Sequence, residues 1–279
     1  MPKTVCVANM REGVGKTTLS VNLAWCAVLR GSKTLVVDLD PQADASAYLM
    51  GAQSYLKHID FQGLTVYDIF EESSPDRDPH RANPSAMTVI CRQVAIPWGA
   101  KKAIHVIPSQ PELSYTLNDP GQKAELLSTF LKIEAAKYDL IIIDTPPMYS
   151  MATEAAYLAS DYVLIPVKPE HRSSIGFNLL KYSISSFKEN HTDHQLDVVG
   201  IVLMNVDESL PAYNITRSET VDWARGEGYP LLDQQVHFSR AYFKEEAEGG
   251  QIFGKSYSRW DVATEFKSLG TKVLTTIGL

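Results

Sequence analysis

The residues with the plainest chemical purpose lie near the N-terminus, in the run Ala8-Asn9-Met10-Arg11-Glu12-Gly13-Val14-Gly15-Lys16-Thr17-Thr18. Gly13 and Gly15 permit backbone conformations that turn several N–H groups toward one point. A helix starting at Lys16 adds unpaired amide donors and a partial positive charge at its first turn. Such a loop grips polyphosphate: the Lys16 ammonium reaches the β- and γ-phosphates of a nucleotide, and the Thr17 hydroxyl is placed to ligate Mg²⁺. Each charge-assisted hydrogen bond is worth about 1.5–3 kcal/mol, so several together make a tight site. The expected nucleotide-binding set is Arg11, Glu12, Gly13, Val14, Gly15, Lys16, Thr17 and Thr18. Met10 stands where the strict phosphate-loop pattern has its first glycine, so the loop's flanking elements decide whether it is more than a glycine-containing turn.

Those elements suit it. Residues 4–8 (TVCVA) are short, apolar and rich in β-branched side chains, and predict a buried strand. Residues 16–30 predict a helix with apolar Leu19, Val21, Leu23, Ala24 and Ala27, and Gly31 follows it where a left-handed cap belongs. Residues 34–37 predict the next strand, running into Asp38-Leu39-Asp40-Pro41. Strand, loop, helix and strand in this order form a βαβ unit, with parallel strands and a right-handed crossover.

The pattern repeats downstream. Residues 104–107, 140–143, 162–167 and 198–204 read as near-continuous apolar strands, and residues 124–137 and 175–188 as helices. Strands buried on both faces predict a doubly wound α/β fold, a mostly parallel sheet with helices on both faces. One domain over residues 1–279 is the simplest organisation, with the polar, Pro-rich residues 73–84 as a surface loop or insertion.

Bulk properties exclude other classes. No apolar run reaches the roughly 20 residues of a membrane helix, and the N-terminus lacks a signal-peptide layout. Three cysteines (Cys6, Cys26 and Cys91) without metal-type spacing fit a reducing, cytoplasmic setting. The formal net charge of −7 argues against a uniformly basic surface while leaving room for a local basic patch.

GVGKTT followed by Val36-Val37-Asp38-Leu39-Asp40-Pro41-Gln42 resembles the ParA/MinD family of deviant Walker A P-loop ATPases. Leu64-Thr65-Val66-Tyr67-Asp68 and Ile107-Pro108-Ser109 are similar to that family's middle region. Residues 138–147 (YDLIIIDTPP) resemble its Walker B strand and second switch, and residues 159–170 (ASDYVLIPVKPE) the strand that follows. The resemblance implies ATP and Mg²⁺ as ligands, with Lys16, Asp40 and Arg11 as catalytic residues. Asp40 would position or activate the attacking water, while Asp38 and Asp144 would join Thr17 around the metal. Asn205 would read the adenine edge, and Glu170 would contact nucleotide from a partner subunit.

Two departures stand out. The family usually has Lys-Gly where this chain has Arg11-Glu12. The family's lysine reaches the other subunit's phosphates in an ATP-sandwich dimer, and a guanidinium can bind phosphate bidentately in the same place. Glu12 brings bulk and negative charge near triphosphate, where like charges about 4 Å apart repel by roughly 4 kcal/mol at an effective dielectric near 20. Three outcomes stay open: Glu12 turns outward to a basic partner, the dimer differs, or dimerisation is impaired.

The resemblance implies a slow ATPase that dimerises with ATP, binds DNA without sequence preference, and positions a plasmid, a chromosome or a protein assembly. A ParB-like protein or cargo adaptor would stimulate hydrolysis, and the nucleoid would be a natural location. Candidate DNA contacts are Arg217, Arg225, Arg240, Lys244, Lys255, Arg259 and Lys267, interleaved with glutamates that suit a plain solvated surface equally well. The alternatives are a MinD-like membrane switch, a small-molecule enzyme on the same fold, and a weakly hydrolysing nucleotide-binding scaffold. The tail over residues 261–279 bears on the first: Val262, Phe266, Leu269, Val273 and Ile277 recur at near-helical spacing, but only Lys267 and Lys272 supply positive charge. Packing against the core is the expected role of that stripe.

Overall fold

A computed structural model describes residues 2–71, 89–95, 101–116, 123–169, 173–210, 212–242, 253 and 260–279. The proposed loop over residues 73–84 lies outside them, as do Glu170, Lys244, Lys255 and Arg259. In chain order the elements are β1 (Lys3–Val7), α1 (Lys16–Leu29), β2 (Thr34–Asp38), α2 (Asp44–Met50), α3 (Ala52–Asp60), α4 (Val66–Phe70), β3 (Val89–Ala95) and β4 (Lys101–Ile107). There follow α5 (Leu113–Thr116), α6 (Ala124–Glu134), β5 (Leu140–Asp144), α7 (Met151–Leu158), β6 (Tyr162–Val167) and α8 (Ser173–Asn190). The chain closes with β7 (Asp197–Val206), α9 (Ala212–Glu227), β8 (Leu231–His237) and α10 (Trp260–Thr276).

The strands form one eight-stranded sheet in the order β3-β4-β2-β5-β1-β6-β7-β8. Every pairing is parallel except β3 with β4, which is antiparallel. β1 sits centrally between β5 and β6, so the chain leaves it toward one half of the sheet and later continues into the other. Open parallel sheets bind ligands beyond the carboxyl ends of the strands at such a switch point.

Alternation along the strands feeds two cores. Cys6, Leu35, Val37, Ile141, Ile143, Val163 and Ile165 face one cluster, which also takes in residues from α4, α6, α7, α8 and α9. Val5, Val7, Val36, Leu140, Ile142 and Leu164 face the other, built with α1, α2 and α10. Because both faces are covered, the central strands read as continuous apolar runs. Helix α1 is buried over most of its surface, from Leu19 to Val28, so it shows no single apolar stripe. It ends at Arg30, and Gly31 takes φ 104°, as the cap position demanded.

The remaining elements escaped the periodicity reading for local reasons. β3 and β8 are edge strands; β8 (LLDQQVH) buries only Leu232 and Val236, and β3 breaks register between Ile90 and Gln93. In α9 the buried positions include Thr216 and Thr220 beside Tyr213 and Ala224, which hides the apolar repeat behind hydroxyls. Thr220 Oγ1 satisfies itself by donating to the carbonyl of Thr216 at 2.8 Å.

The C-terminal stripe is core. Val262, Phe266, Leu269, Val273 and Ile277 are all buried in the cluster that contains α1. Removing side chains of this size from water contributes about 1.5–3 kcal/mol each. That face of α10 is therefore spent on the protein interior. Among the described residues no helix is long and apolar enough to cross a membrane.

Gly270 marks where α10 touches α1: a Cβ there would lie 2.6 Å from Cys26 Sγ and 2.7 Å from Cys26 Cβ. Helix propensity alone makes Gly270→Ala stabilising by about 1 kcal/mol. The contact reverses the sign, and a net loss of about 1–3 kcal/mol is expected, read as a lower urea midpoint at unchanged slope.

Candidate functional site

The chain leaves β1 at the centre of the sheet and needs a tight turn to enter α1. Gly13 and Gly15 supply it with φ of 67° and 92°, in the left-handed region that suits glycine. Gly15 also lies close to β7, since a Cβ on it would be 3.2 Å from Met204 Cε. Asn9 clamps the start of the loop: its Nδ2 donates to the Pro166 carbonyl on β6 at 2.7 Å, and its Oδ1 accepts the Arg11 amide at 3.1 Å. Val14 is buried beneath the turn. The loop is thus anchored by both backbone and side-chain contacts.

Lys16 is almost fully buried, and its Nζ donates to the Arg11 carbonyl at 3.0 Å. Burial holds its pKa below the ordinary lysine value, and the carboxylates of Asp144, Asp40 and Glu12 oppose that shift. Thr17 Oγ1 donates to Asp144 Oδ2 at 2.8 Å, and Ser20 Oγ reaches Asp144 Oδ1 at 2.7 Å. Asp144 ends β5 fully buried, in register with Asp38 at the end of β2. Two carboxyls thus meet in low dielectric. Burial pushes Asp144 up to about 6 against the hydrogen bonds of Ser20 and Thr17. Burial, then the neighbouring Asp144, drive Asp38 well above the usual carboxylate range.

Asp38 is held from both sides. Its Oδ2 accepts the Ser46 amide at 2.8 Å and the Ser46 hydroxyl at 2.6 Å, and its Oδ1 accepts the Asp40 amide at 3.1 Å. Asp40 Oδ1 in turn accepts the Gln42 amide at 3.0 Å. Burial raises the Asp40 pKa, which makes its carboxylate a better proton acceptor. The turn closes at Ala43 with φ 58°, a left-handed conformation that L side chains avoid.

The structure therefore brings Lys16, Thr17, Asp38, Asp40 and Asp144 to one edge of the sheet around the loop. Thr18 follows in the first turn of α1, its carbonyl accepting Asn22 Nδ2 at 2.9 Å. Glu12 is exposed on the rim of the loop, and its carboxylate still acts on Lys16 and Asp40. Arg11 is half-buried and lines a crevice with Asn9, Val14, Val167, Lys168, Gly176 and Phe177, against α8. Asn205 sits at the end of β7 with φ 54°, next in sequence to the Met204 that abuts Gly15. Glu170 is outside the described residues.

Sequence reasoning missed Ser20, Ser46, Ser109 and Asn9. Ser20 was within reach, because positions three and four residues beyond Thr17 and Lys16 share their helix face. Ser46 gave no local signal.

The donor set fits a hard divalent cation, because a hydroxyl and a buried carboxyl with a raised pKa are what such an ion would bind and relieve. A cavity of about 730 Å³ opens at the opposite edge of the sheet, lined by residues such as Leu131, Tyr138, Asp161 and His194. The buried carboxyls and Lys16 gather instead at the loop between β1 and α1, where a helix N-terminus offers oriented backbone donors.

Comparison with known proteins agrees with this geometry. Residues 2–198 match a family described as "AAA domain". The sporulation initiation inhibitor protein Soj of Bacillus subtilis is 31% identical over 216 residues, covering 74% of this chain and 74% of Soj. The virulence plasmid ParA family protein pGP5-D of Chlamydia psittaci is 30% identical over 254 residues, covering 88% and 86%. Among solved structures, apo McdA from Cyanothece superposes with a TM-score of 0.74 at 20% identity over 100% of both chains, a likeness of fold.

The Asp144 carboxyl gives the site a pH signature. Its folded pKa of about 6 exceeds the ordinary 3.8, so without a cation the native state binds more protons than the unfolded chain in that window. Stability is then expected to fall as pH rises through it. Replacing Asp144 with Asn should make this part of the slope vanish, as measured by urea unfolding of both proteins at about pH 5 and about pH 7 without divalent ions.

Proposed function

Because the chain belongs to the ParA/Soj/MinD-like family of deviant Walker A P-loop ATPases, we propose that it is a positioning ATPase, one domain throughout, that binds Mg-ATP and hydrolyses it slowly. The observation that carries this reading is the buried Asp144 carboxyl held by the hydroxyls of Thr17 and Ser20 directly beneath the Gly13–Lys16 turn.

In this reading the amides from Gly13 to Thr18 and the Lys16 ammonium bind the β- and γ-phosphates. To do so Lys16 exchanges the Arg11 carbonyl for a phosphate oxygen, a stronger charge-assisted partner. Thr17, Asp144 and Asp38 would hold Mg²⁺, which when bound neutralises charge developing on the transferred phosphoryl group. Asp40, fixed through its own amide and that of Gln42, orients the attacking water and takes up its proton. Asn205 contacts the base, and Glu170 reaches a nucleotide in the partner subunit.

Dimerisation with ATP is supported by apolar surface near the same edge. Met148, Tyr149, Leu179 and Tyr182 are exposed, and Tyr149 meets Tyr182 edge-on with ring centroids 6.4 Å apart. Exposed apolar groups gathered in this way mark interaction surfaces. A γ-phosphate at the seam would favour the dimer by its differential affinity for the two states. Arg11 leaves its place against α8 to act across that seam. The dimer binds non-specific DNA, with exposed Arg217, Arg225, Arg240 and Lys267 as contacts, and a ParB-like or cargo-adaptor partner stimulates hydrolysis to release a plasmid, chromosome or protein cargo.

Lys16→Ala is expected to abolish measurable Mg-ATP binding by calorimetry; wild-type affinity in that variant contradicts the site assignment. Asp40→Ala should bind ATP yet turn over negligibly, trapping a dimer visible by light scattering. Its DNA affinity should fall with a log–log salt slope of about −0.9 per phosphate contact. A monomer at saturating ATP, or salt-independent DNA binding, contradicts the switch.

A further inference from the structure

Ser46 sits eight residues beyond Asp38 and is fully buried, on α2. Two other segments meet on it, and a third joins through one of them. Its amide and hydroxyl both donate to Asp38 Oδ2, at 2.8 and 2.6 Å. Its oxygen accepts the amide of the buried Ser109, beyond the end of β4, at 2.9 Å. The carbonyl of Ser109 accepts Tyr55 Oη from α3 at 3.2 Å.

The donor count explains why the side chain must be a hydroxyl. Asp38 Oδ2 takes a second donor beside the Ser46 amide, and the Ser109 amide needs an acceptor. One hydroxyl supplies both, because its single proton goes to Asp38 while a lone pair takes the Ser109 N–H. Beyond Asp38 the chain of bonds continues through the Asp40 amide to Asp38 Oδ1 and the Gln42 amide to Asp40 Oδ1. These bonds span a turn that Ala43 completes at φ 58°, so its shape rests on its anchors.

We propose that Ser46 is a positioning residue for ATP hydrolysis: by orienting Asp38 it sets the turn that carries Asp40, without itself contacting nucleotide. This rests on the ATPase reading above. Loss of the hydroxyl leaves the Ser109 amide without its acceptor and removes one of the two donors to Asp38 Oδ2, which loosens the carboxylate that anchors the Asp40 turn.

The test compares Ser46→Ala and Ser46→Thr with the parent by two readouts. In steady-state hydrolysis, Ser46→Ala is expected to lower kcat by about 10- to 100-fold, the scale of a small misplacement of a catalytic group, while Mg-ATP affinity stays within about threefold. Ser46→Thr, which keeps the oxygen, should recover most of the rate. Amide hydrogen exchange without nucleotide should be faster at Asp40, Gln42 and Ser109 in Ser46→Ala and close to the parent in Ser46→Thr. Unchanged exchange at those three amides overturns the inference, as does a kcat equal to the parent's or a loss of affinity that matches the loss of rate. If Ser46→Ala does not fold, Ser46→Cys, with its weak S–H donor, takes its place under the same criteria. A parent that turns over no ATP would remove the ATPase reading, and the exchange data would still decide whether Ser46 sets the turn.

Discussion

The structure depends on one buried carboxyl. Asp144 closes the strand beside β1, and the Thr17 and Ser20 hydroxyls of α1 converge on its two oxygens. A carboxyl in that position is expensive to bury unless it is hydrogen-bonded or given a cation. The fold meets part of that demand with the first turn of the helix that also presents the phosphate loop. The same two hydrogen bonds thus tie the first turn of α1 to the end of β5, while core packing from Leu19 to Val28 holds the rest of the helix.

Asp38 repeats the arrangement one strand away. It pairs in register with Asp144 and is held by Ser46 as Asp144 is held by Ser20. Burial is the main reason both titrate above their ordinary range, and at Asp38 the neighbouring Asp144 adds to it. Such a pair is receptive to a proton or to a cation. Thr145, next to Asp144, ties the same strand end to β1 by donating to the Val7 carbonyl at 2.9 Å, so the carboxyls sit on rigid supports.

The rim is less settled than the floor. Arg11 lies against α8, where the absence of a side chain on Gly176 leaves room beside Arg11 Cβ, while Glu12 faces solvent. The loop thus keeps its cation tucked toward the protein and its anion outward. α8 also receives Tyr149, from the segment after Asp144, through its ring contact with Tyr182. One helix consequently touches both the loop after β1 and the segment after β5. Its buried side is braced against α9 by Phe177 stacked on Trp223 at 4.4 Å.

Much of this was legible in the residues. The apolar runs that became β1, β2, β5, β6 and β7 announced a sheet covered on both faces, since strands in contact with helices above and below have no polar side to show. Gly13, Gly15 and Lys16 announced the phosphate loop, because their chemistry is local: backbone freedom, a helix start and one long cation. The C-terminal repeat from Val262 to Ile277 was legible as a helix, yet its destination was not, since a core face and a membrane-facing face obey the same spacing. Only packing against α1, at the Gly270–Cys26 contact, decided that. Ser20 and Ser46 became partners of Asp144 and Asp38 in the same way. Those pairs are 124 and eight residues apart, and a hydroxyl's partner is set by which strands lie side by side, an order that no single segment of the chain contains.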